Sequence, residues 1–316
     1  MEKRREPIAT RAAYGKTLLA LGKENPDIVV LDADLSESTK TNLFAEAFPE
    51  RFFDCGIAEQ NMMGISAGLA AAGKTVFAST FAVFATARCF DQLRMSIAQP
   101  RLNVKVAATH GGISVGEDGS SHQAIEDLAL ACSLPNFRVI VPADGIEVEQ
   151  VVRLAAATPG PFYIRLHRPN SPLVYSDDYK FVLGKAVTMK EGSDATIIAT
   201  GLMVANALEA AENLARQGID CRVLSMPTLK PLDIEAITRA AKETGAIVTA
   251  EEHLEHGGLG SRVAQAVVQN CPVPMAFVAI KDSYGSSGTQ KELFQKYGLT
   301  AADIEKAVHS TLSKKS

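Results

Sequence analysis

Short runs of β-branched and apolar residues alternate with longer helical stretches along most of this 316-residue chain. In the first half, candidate strands lie at 28–32, 75–79, 103–109, 138–141 and 162–166. Helical patterns lie at 58–72, 81–98, 122–131 and 144–157, and Asp144 with Glu147 has the spacing of a capping box. Such alternation is typical of a parallel sheet with helices on both faces. We therefore predict an α/β fold with a doubly wound parallel sheet.

The segment 169–184 interrupts this pattern, because it is rich in Pro, Ser, Asp and Tyr and has no periodicity. A second α/β set follows, with strands at 195–200, 220–225, 246–250 and 275–280. Its helical patterns lie at 203–217, 233–243, 260–269 and 290–297. We expect a first domain at 1–170, a linker at 171–188 and a smaller α/β domain at 189–316.

Composition argues against several classes of protein. The net charge is −4, the pI is about 5.9 and no basic block interleaves with aromatic residues, so we expect no nucleic-acid partner. Basic residues at 3–5 and 314–315 are typical of solvated chain ends. The five cysteines have no CxxC spacing, which indicates reduced thiols and no metal site. No apolar run reaches the ~18 residues of a membrane span. We expect a cytoplasmic protein with no membrane partner.

A glycine-rich segment runs from His110 to Gln123, directly after a predicted buried strand. Its glycines remove steric limits on the backbone and allow close approach to a ligand. The titratable residues in the segment are His110, Glu117, Asp118 and His122. Open α/β sheets bind ligands at the carboxyl ends of their strands. The plain alternative is a turn with a solvated acidic pair, but the density of titratable groups favours a ligand site.

Glu59 stands in the predicted first turn of a helix, where the helix dipole favours a carboxylate. The helix behind it consists mostly of small residues, so we expect it to be buried. A buried carboxylate needs a specific partner, and a protonated ring nitrogen of a ligand would be one. Phe81 and Phe84 follow a predicted strand on one helical face. They are either ordinary core or an aromatic platform for a flat heterocycle.

Taken together, these segments resemble transketolase. Gly-Ile-Ala-Glu-Gln-Asn at 56–61, Ser-Thr-Phe-Ala-Val-Phe at 79–84, Thr-His at 109–110 and Gly-Glu-Asp-Gly-Ser-Ser-His-Gln at 116–123 occur in its order and spacing. The later segments 143–145 and 167–170 also fit, so the resemblance covers essentially the whole chain. The Glu-Asp-Gly-x-x-His loop separates transketolases from their relatives more sharply than Glu59, because many thiamine diphosphate enzymes have a similar glutamate.

The sequence departs from a full transketolase in one respect. It contains no Gly-Asp-Gly motif, by which an N-terminal transketolase domain holds the cofactor diphosphate through Mg²⁺. The resemblance therefore implies the C-terminal subunit of a split transketolase, made of a pyrimidine-binding domain and a transketolase C-terminal domain. We expect thiamine diphosphate as cofactor and an N-terminal subunit as partner, which carries the Mg²⁺ ligands. Self-association through the C-terminal subunit would then produce a heterotetramer.

The resemblance also implies roles for single residues. Glu59 corresponds to the glutamate that hydrogen-bonds the aminopyrimidine ring nitrogen, and Phe81 and Phe84 correspond to the aromatic wall against that ring. His110 and His122 correspond to imidazoles that line the sugar-phosphate channel, and with Glu59 they are the expected catalytic residues. The remaining substrate contacts are expected from Asp118, which recognises a hydroxyl, and from Arg11, Ser38 and Arg168, which contact the phosphate. No residue of this chain is assigned to a metal.

The implied activity is the transfer of a two-carbon ketol unit from a ketose phosphate to an aldose phosphate, in the pentose phosphate pathway. Two alternatives stay open. The first is the beta chain of a thiamine diphosphate-dependent 2-oxoacid dehydrogenase or a deoxyxylulose phosphate synthase-like fragment, which share the fold and the glutamate. The second is an inactive scaffold or regulatory module, against which Glu59, His110, Asp118 and Arg168 argue.

Overall fold

The computed structural model describes residues 6–315, and the basic residues at 3–5 lie outside that range. The strands in chain order are β1 (Ile8–Ala9), β2 (Ile28–Asp32), β3 (Phe52–Asp54), β4 (Thr75–Phe81), β5 (Val104–Thr109), β6 (Arg138–Ile140), β7 (Phe162–Arg165), β8 (Asn170–Ser171), β9 (Val187–Lys190), β10 (Ala195–Ala199), β11 (Cys221–Ser225), β12 (Thr228–Lys230), β13 (Ile247–Leu254) and β14 (Met275–Ile280). The α-helices are α1 (Thr10–Glu24), α2 (Ser36–Thr39), α3 (Asn42–Ala47), α4 (Glu59–Ala71), α5 (Asp127–Ser133), α6 (Gly145–Ala157), α7 (Met203–Arg216), α8 (Ile234–Thr244), α9 (Leu259–Asn270), α10 (Gln290–Lys296) and α11 (Ala301–Leu312).

The first half is built on a seven-stranded sheet in the order β12-β6-β7-β5-β4-β2-β3. The strands from β2 to β7 pair in parallel, which requires the crossover connections that helices provide. Strands β2 and β5 are buried along their whole length, as expected for a parallel sheet covered on both faces. The predicted α/β fold with a doubly wound parallel sheet is confirmed.

The strands predicted in this half are all present, but two helix predictions are wrong in detail. The helix expected at 122–131 begins only at Asp127, because the Ala124 carbonyl accepts a hydrogen bond from Gly112 N–H at 2.8 Å and so belongs to the preceding loop. The stretch 81–98 is not a regular α-helix, since it contains π-helical segments at Phe84–Arg88 and Gln92–Ala98. Such segments are rare and often lie at functional sites.

The start of α6 shows how a local motif is satisfied in three dimensions. Asp144 Oδ1 accepts from the Glu147 N–H at 3.0 Å, so Asp144 is the predicted N-cap. The reciprocal bond of the predicted capping box is shifted by one residue, because Glu147 Oε2 accepts from the Ala143 N–H at 2.8 Å. Asp144 Oδ2 also accepts from the Val174 N–H at 2.9 Å, which fastens the segment after β8 to α6.

The second half is built on a five-stranded sheet in the order β14-β13-β10-β11-β9, in which only the edge strand β9 pairs in the antiparallel sense. One strand of this half, β12, joins the first sheet by pairing antiparallel with β6. The two halves are therefore connected by a shared sheet as well as by the chain between them. Within residues 6–315, no helix has the length and apolar character needed to cross a membrane.

Candidate active site

The carboxyl ends of the parallel strands bring most of the predicted site residues to one edge of the first sheet. Phe81 ends β4, and His110 follows β5 directly. Ser38 lies in α2 after β2, Glu59 begins α4 after β3, and Arg168 lies beyond β7. Because parallel strands have their carboxyl ends at the same edge, residues far apart in sequence meet there, where open α/β sheets bind ligands.

One part of the site is an aromatic cluster formed by Phe81, Phe84, His110 and His122. The Phe81 and His110 rings stack with centroids 3.8 Å apart, and Phe84 lies nearly parallel to Phe81 at 5.8 Å. His122 meets Phe84 edge-on at 5.4 Å. Stacked and edge-on contacts are the arrangements that aromatic quadrupoles favour. Phe84 is only partly buried, so the cluster presents an aromatic surface to a flat ring.

His110 is the buried imidazole of this cluster, with only 2% of its surface exposed. Its Nδ1 lies 2.9 Å from Thr109 Oγ1, and its backbone has a φ of 58°, which is uncommon outside glycine. Burial, together with the nearby charges of Arg11, Arg168 and His122, lowers the pKa of His110 to about 3. The imidazole is therefore neutral at pH 7, with one nitrogen able to donate and the other able to accept a proton.

Glu59 is the first residue of α4 and is 5% exposed, as the sequence predicted for a buried carboxylate. Its Oε1 lies 2.7 Å from Arg88 Nη1. The same guanidinium lies 4.0 Å above the centre of the Phe84 ring, within the range of a cation–π contact. Glu59 and Phe84 are thus close enough together to be bridged by one planar group.

Arg88 is a site residue that the sequence motifs do not identify, although its spacing from Phe81 and Phe84 is a signal. Phe81, Phe84 and Arg88 have the i, i+3, i+7 spacing that places side chains on one face of a helix. The backbone there is π-helical at Phe84–Arg88 instead of α-helical. The spacing alone therefore indicates which residues lie together, but not that the guanidinium reaches Glu59.

The second part of the site is an arginine pair, Arg11 and Arg168. Arg11 donates from Nη1 to the Ser38 carbonyl at 2.7 Å and from Nε to the Arg168 carbonyl at 3.3 Å. Arg168 donates from Nη1 to the Val115 carbonyl, and its Nη1 lies 3.6 Å from Asp118 Oδ1. Burial and the charge of Arg168 both lower the pKa of Arg11. Two cations that share a site in this way favour the binding of an anion.

The aromatic cluster and the arginine pair meet at His110. His110 stacks on Phe81 on one side, and it is near enough to both arginines for their charges to shift its pKa. These contacts link the predicted site residues into one region, which has the aromatic rings at one end and, at the other, the arginine pair with the carboxylates Glu117 and Asp118 beside Arg168. Ser38 takes part through its backbone carbonyl.

Known protein families match the two halves of the chain. Residues 6–173 match the family described as Transketolase, pyrimidine binding domain, and residues 184–304 match Transketolase, C-terminal domain. The chain is 45% identical over 307 residues to a Methanocaldococcus jannaschii protein that carries the name transketolase C-terminal section, with 96% of each covered. It is 42% identical to the 6-deoxy-6-sulfo-D-fructose transketolase subunit of a Clostridium species (strain MSTE9), covering 96% of this chain and 95% of that one.

The chain is also similar to a solved structure described as a split gene transketolase, inactive beta4 tetramer. The TM-score is 0.90 with 53% sequence identity, and the match covers 98% of this chain and 100% of the other. Fold and sequence similarity agree, and the resemblance predicted from the sequence is confirmed. The chain belongs to the transketolase family and combines its pyrimidine-binding domain with its C-terminal domain.

Proposed function

We propose that this chain is the C-terminal subunit of a two-chain transketolase, which transfers a two-carbon ketol unit from a ketose phosphate to an aldose phosphate. The observation that carries the proposal is the meeting of the aromatic cluster and the arginine pair at His110. One end of this region suits a flat heterocycle, and the other suits the phosphate of a sugar. A 2-oxoacid such as pyruvate has no remote phosphate, so the arginine pair favours a sugar phosphate as substrate.

The residues present fit the pyrimidine half of thiamine diphosphate. Glu59 is a nearly buried carboxylate, which can accept a hydrogen bond from a protonated ring nitrogen. Phe84 offers an aromatic face beside it, as the shared contact with Arg88 demonstrates. The diphosphate half finds no such match. Within residues 6–315, no three His, Cys, Asp or Glu side chains lie close enough together to hold a metal ion.

The proposed reaction depends on the chemistry of the cofactor and on side chains of this chain. Thiamine diphosphate, when bound, supplies the electron sink that allows the carbon–carbon bond beside a ketose carbonyl to break. Glu59 holds a proton on the pyrimidine nitrogen, while Phe81 and Phe84 orient the ring and exclude water from it. His110 is neutral at pH 7, so one ring nitrogen can accept a hydrogen bond from a sugar hydroxyl and the other can donate one. His122 lines the same channel.

Substrate recognition is assigned to the end of the site that contains the arginine pair. Arg11 and Arg168 bind the terminal phosphate by charge-assisted hydrogen bonds, and Asp118 accepts a hydrogen bond from a hydroxyl of the sugar. Asp118 lies 3.6 Å from Arg168, so one substrate can reach both. The Clostridium relative is named for a sulfonated sugar, which supports a polyhydroxy chain with an anionic end as the general substrate class.

The proposed partner is an N-terminal transketolase subunit that holds the diphosphate and Mg²⁺. The names of the Methanocaldococcus relative and of the split-gene structure support a divided enzyme. That solved structure is described as an inactive tetramer of one chain type. This supports both self-association through the C-terminal subunit and a requirement for a second chain, and we propose a heterotetramer as the active form.

Co-expression with an N-terminal transketolase subunit tests the function directly. The purified complex should transfer a ketol unit from a ketose phosphate to an aldose phosphate when thiamine diphosphate and Mg²⁺ are present. Each subunit alone serves as the control and should show no transfer. Decarboxylation of a 2-oxoacid with reduction of an added electron acceptor, and without ketol transfer, would support the dehydrogenase alternative. A stable complex with neither activity would support the scaffold alternative.

A further inference from the structure

A side chain of the C-terminal half of the chain contacts the loop that contains Asp118. Glu252 lies in β13 and is 2% exposed. Its Oε1 accepts a hydrogen bond from the Ser114 N–H at 2.5 Å, although the two residues are 138 positions apart. Gly112 in the same loop has a φ of +81°, and a Cβ added there would lie 2.3 Å from Glu252 Cδ and Oε1. The carboxylate therefore occupies the inside of the turn that leads to Asp118.

Glu252 also lies beside the segment that carries Arg168. Its Oε2 is 3.8 Å from His167 Nε2, and within the described residues this oxygen has no hydrogen-bond partner. Ser114 immediately precedes Val115, whose carbonyl accepts from Arg168, and His167 immediately precedes Arg168. The Glu252 carboxylate thus lies between the two segments. It faces Ser114 and His167, which immediately precede Val115 and Arg168, the two residues whose hydrogen bond joins the segments.

A second part of the C-terminal half covers the same loop. Gln123 donates from Nε2 to the Ser286 carbonyl at 3.0 Å. Gly119 has a φ of +76°, and a Cβ added there would lie 2.6 Å from Ser287 Oγ. A side chain at position 119 would displace the Ser287 hydroxyl, and the positive φ of this position itself favours glycine. The loop with Asp118 is therefore shaped by contacts from the second half as well as by its own sequence.

A stabilising role alone does not account for a carboxylate at position 252. A buried carboxylate costs free energy unless it is hydrogen-bonded, and burial raises the pKa of Glu252 to about 7. The charge of Arg165 opposes this rise, although its Nη2 donates to the Glu252 backbone carbonyl at 2.9 Å and not to the carboxylate. An apolar side chain of similar volume would fill the space without this cost. What a carboxylate adds is the hydrogen bond to Ser114.

We propose that Glu252 is a positioning residue, which holds the loop 111–119 in the conformation that turns Asp118 and Arg168 towards a bound sugar phosphate. The C-terminal domain would then take part in substrate recognition without touching the substrate. The effect on substrate rests on the proposed transketolase function, whereas the ordering of the loop does not.

Amide hydrogen exchange of the purified full chain tests the ordering of the loop. Glu252→Met keeps the side-chain volume without an acceptor, and Glu252→Asp keeps the charge but is one methylene too short to reach Ser114. In either variant the amides of 111–119 should exchange about tenfold faster, as expected for the loss of one hydrogen bond. Glu252→Gln retains an acceptor oxygen and should restore slow exchange.

Glu251→Gln is the matched control, because Glu251 is buried in the same strand but accepts from the Leu259 and Gly260 amides at the start of α9. It should leave exchange in 111–119 unchanged. If only one of the Glu252→Met and Glu252→Asp variants folds, the exchange rates of that variant alone test the proposal. Wild-type exchange in 111–119 would overturn the proposal, and so would acceleration spread evenly over the chain.

Kinetics of the complex with the N-terminal subunit test the effect on substrate. Glu252→Asp should raise KM for a ketose phosphate about tenfold, with much less effect on hydroxypyruvate, which has no phosphate. A wild-type KM in a variant whose loop exchanges faster would overturn this part of the proposal. If the wild-type complex shows no ketol transfer, the proposed function fails, while the exchange result still decides the role of Glu252.

Discussion

Among single residues, Glu59 and Arg88 make the contact that bears most directly on cofactor binding. Arg88 Nη1 lies 2.7 Å from Glu59 Oε1, and the same guanidinium covers the Phe84 ring at 4.0 Å. Arg88 thus contacts both groups that are proposed to hold the aminopyrimidine. Its side chain is 49% exposed, so the guanidinium can be hydrated when it moves away, but the buried Glu59 carboxylate then needs another hydrogen-bond partner. A pyrimidine ring can therefore take its place beside Glu59.

Glu59→Gln should nearly abolish ketol transfer in the complex while the chain remains folded. The carboxylate is proposed to hold a proton on the pyrimidine nitrogen, and a neutral amide does so only weakly. Excess thiamine diphosphate should not fully restore the rate. Steady-state kinetics and a thermal melt of the same preparation measure the two effects. Wild-type turnover in this variant would show that Glu59 serves only as a charge at the start of α4.

Arg168→Ala should weaken the binding of phosphorylated sugars more than it slows turnover. Loss of a charge-assisted hydrogen bond costs about 1.5–3 kcal/mol, or roughly ten- to a hundred-fold in affinity. The increase should appear mainly in KM, because a clamp on a remote phosphate binds substrate and transition state alike. Hydroxypyruvate is the control donor and should be affected much less. Equal losses for both donors would indicate that Arg168 supports the loop instead of the phosphate.

At the scale of elements, the first turn of α6 contains a fully buried carboxyl group. Glu147 Oε1 accepts from Tyr179 Oη at 2.6 Å, and its Oε2 accepts from the Ala143 N–H at 2.8 Å. Burial and, to a smaller extent, the charge of Asp144 outweigh these hydrogen bonds and raise the pKa of Glu147 from 4.5 to about 7. The folded state thus holds this proton more tightly than the unfolded chain does. The resulting stabilisation is fully present below pH 4.5 and is lost as the pH rises through 7.

Glu147→Gln should therefore flatten the pH dependence of stability. Between pH 5 and 8 the free energy of unfolding of the wild type should fall, relative to this variant, by about 3 kcal/mol. Urea unfolding at the two pH values measures the difference. Glu149→Gln is the control for removing a carboxylate from the same helix, because Glu149 is partly exposed beside Arg153. An equal slope in wild type and Glu147→Gln would contradict the assignment.

The elements themselves follow from local patterns, with informative exceptions. Strand β2 has the predicted bounds, because a run of apolar residues between polar ends is visible in any window. The helix predicted at 81–98 contains two π-helical segments, which the apolar spacing does not distinguish from an α-helix. The helix predicted from 122 begins at Asp127, because the backbone of Ala124 is engaged by Gly112 across the loop.

At the scale of the whole molecule, the chain on its own should bind thiamine diphosphate poorly and show no ketol transfer. The sequence has no Gly-Asp-Gly motif, and the described residues contain no cluster of three metal-ligating side chains. Among the described residues, suitable partners are therefore present for the pyrimidine half of the cofactor, but no metal-binding cluster is present for its diphosphate. Calorimetric titration of the purified chain with thiamine diphosphate and Mg²⁺ measures this, with the two-subunit complex as control. Tight stoichiometric binding to the chain alone would contradict a divided enzyme.

The sequence by itself determined the α/β class, the order of the elements and the motif residues at the strand ends. These properties depend on hydrophobic periodicity and on short segments, which neighbouring residues specify. Glu59, Phe81, His110 and Asp118 could be named because each lies in such a segment.

Only the tertiary structure decided how these residues are held. The contacts that shape the site join residues far apart in the chain, such as Glu59 with Arg88 and Ser114 with Glu252. The addition of β12 to the first sheet is equally distant in sequence. A contact of this kind depends on the packing of whole elements. The sequence around either contacting residue does not predict the contact, because the residues next to a buried glutamate in the chain do not indicate which distant group it binds.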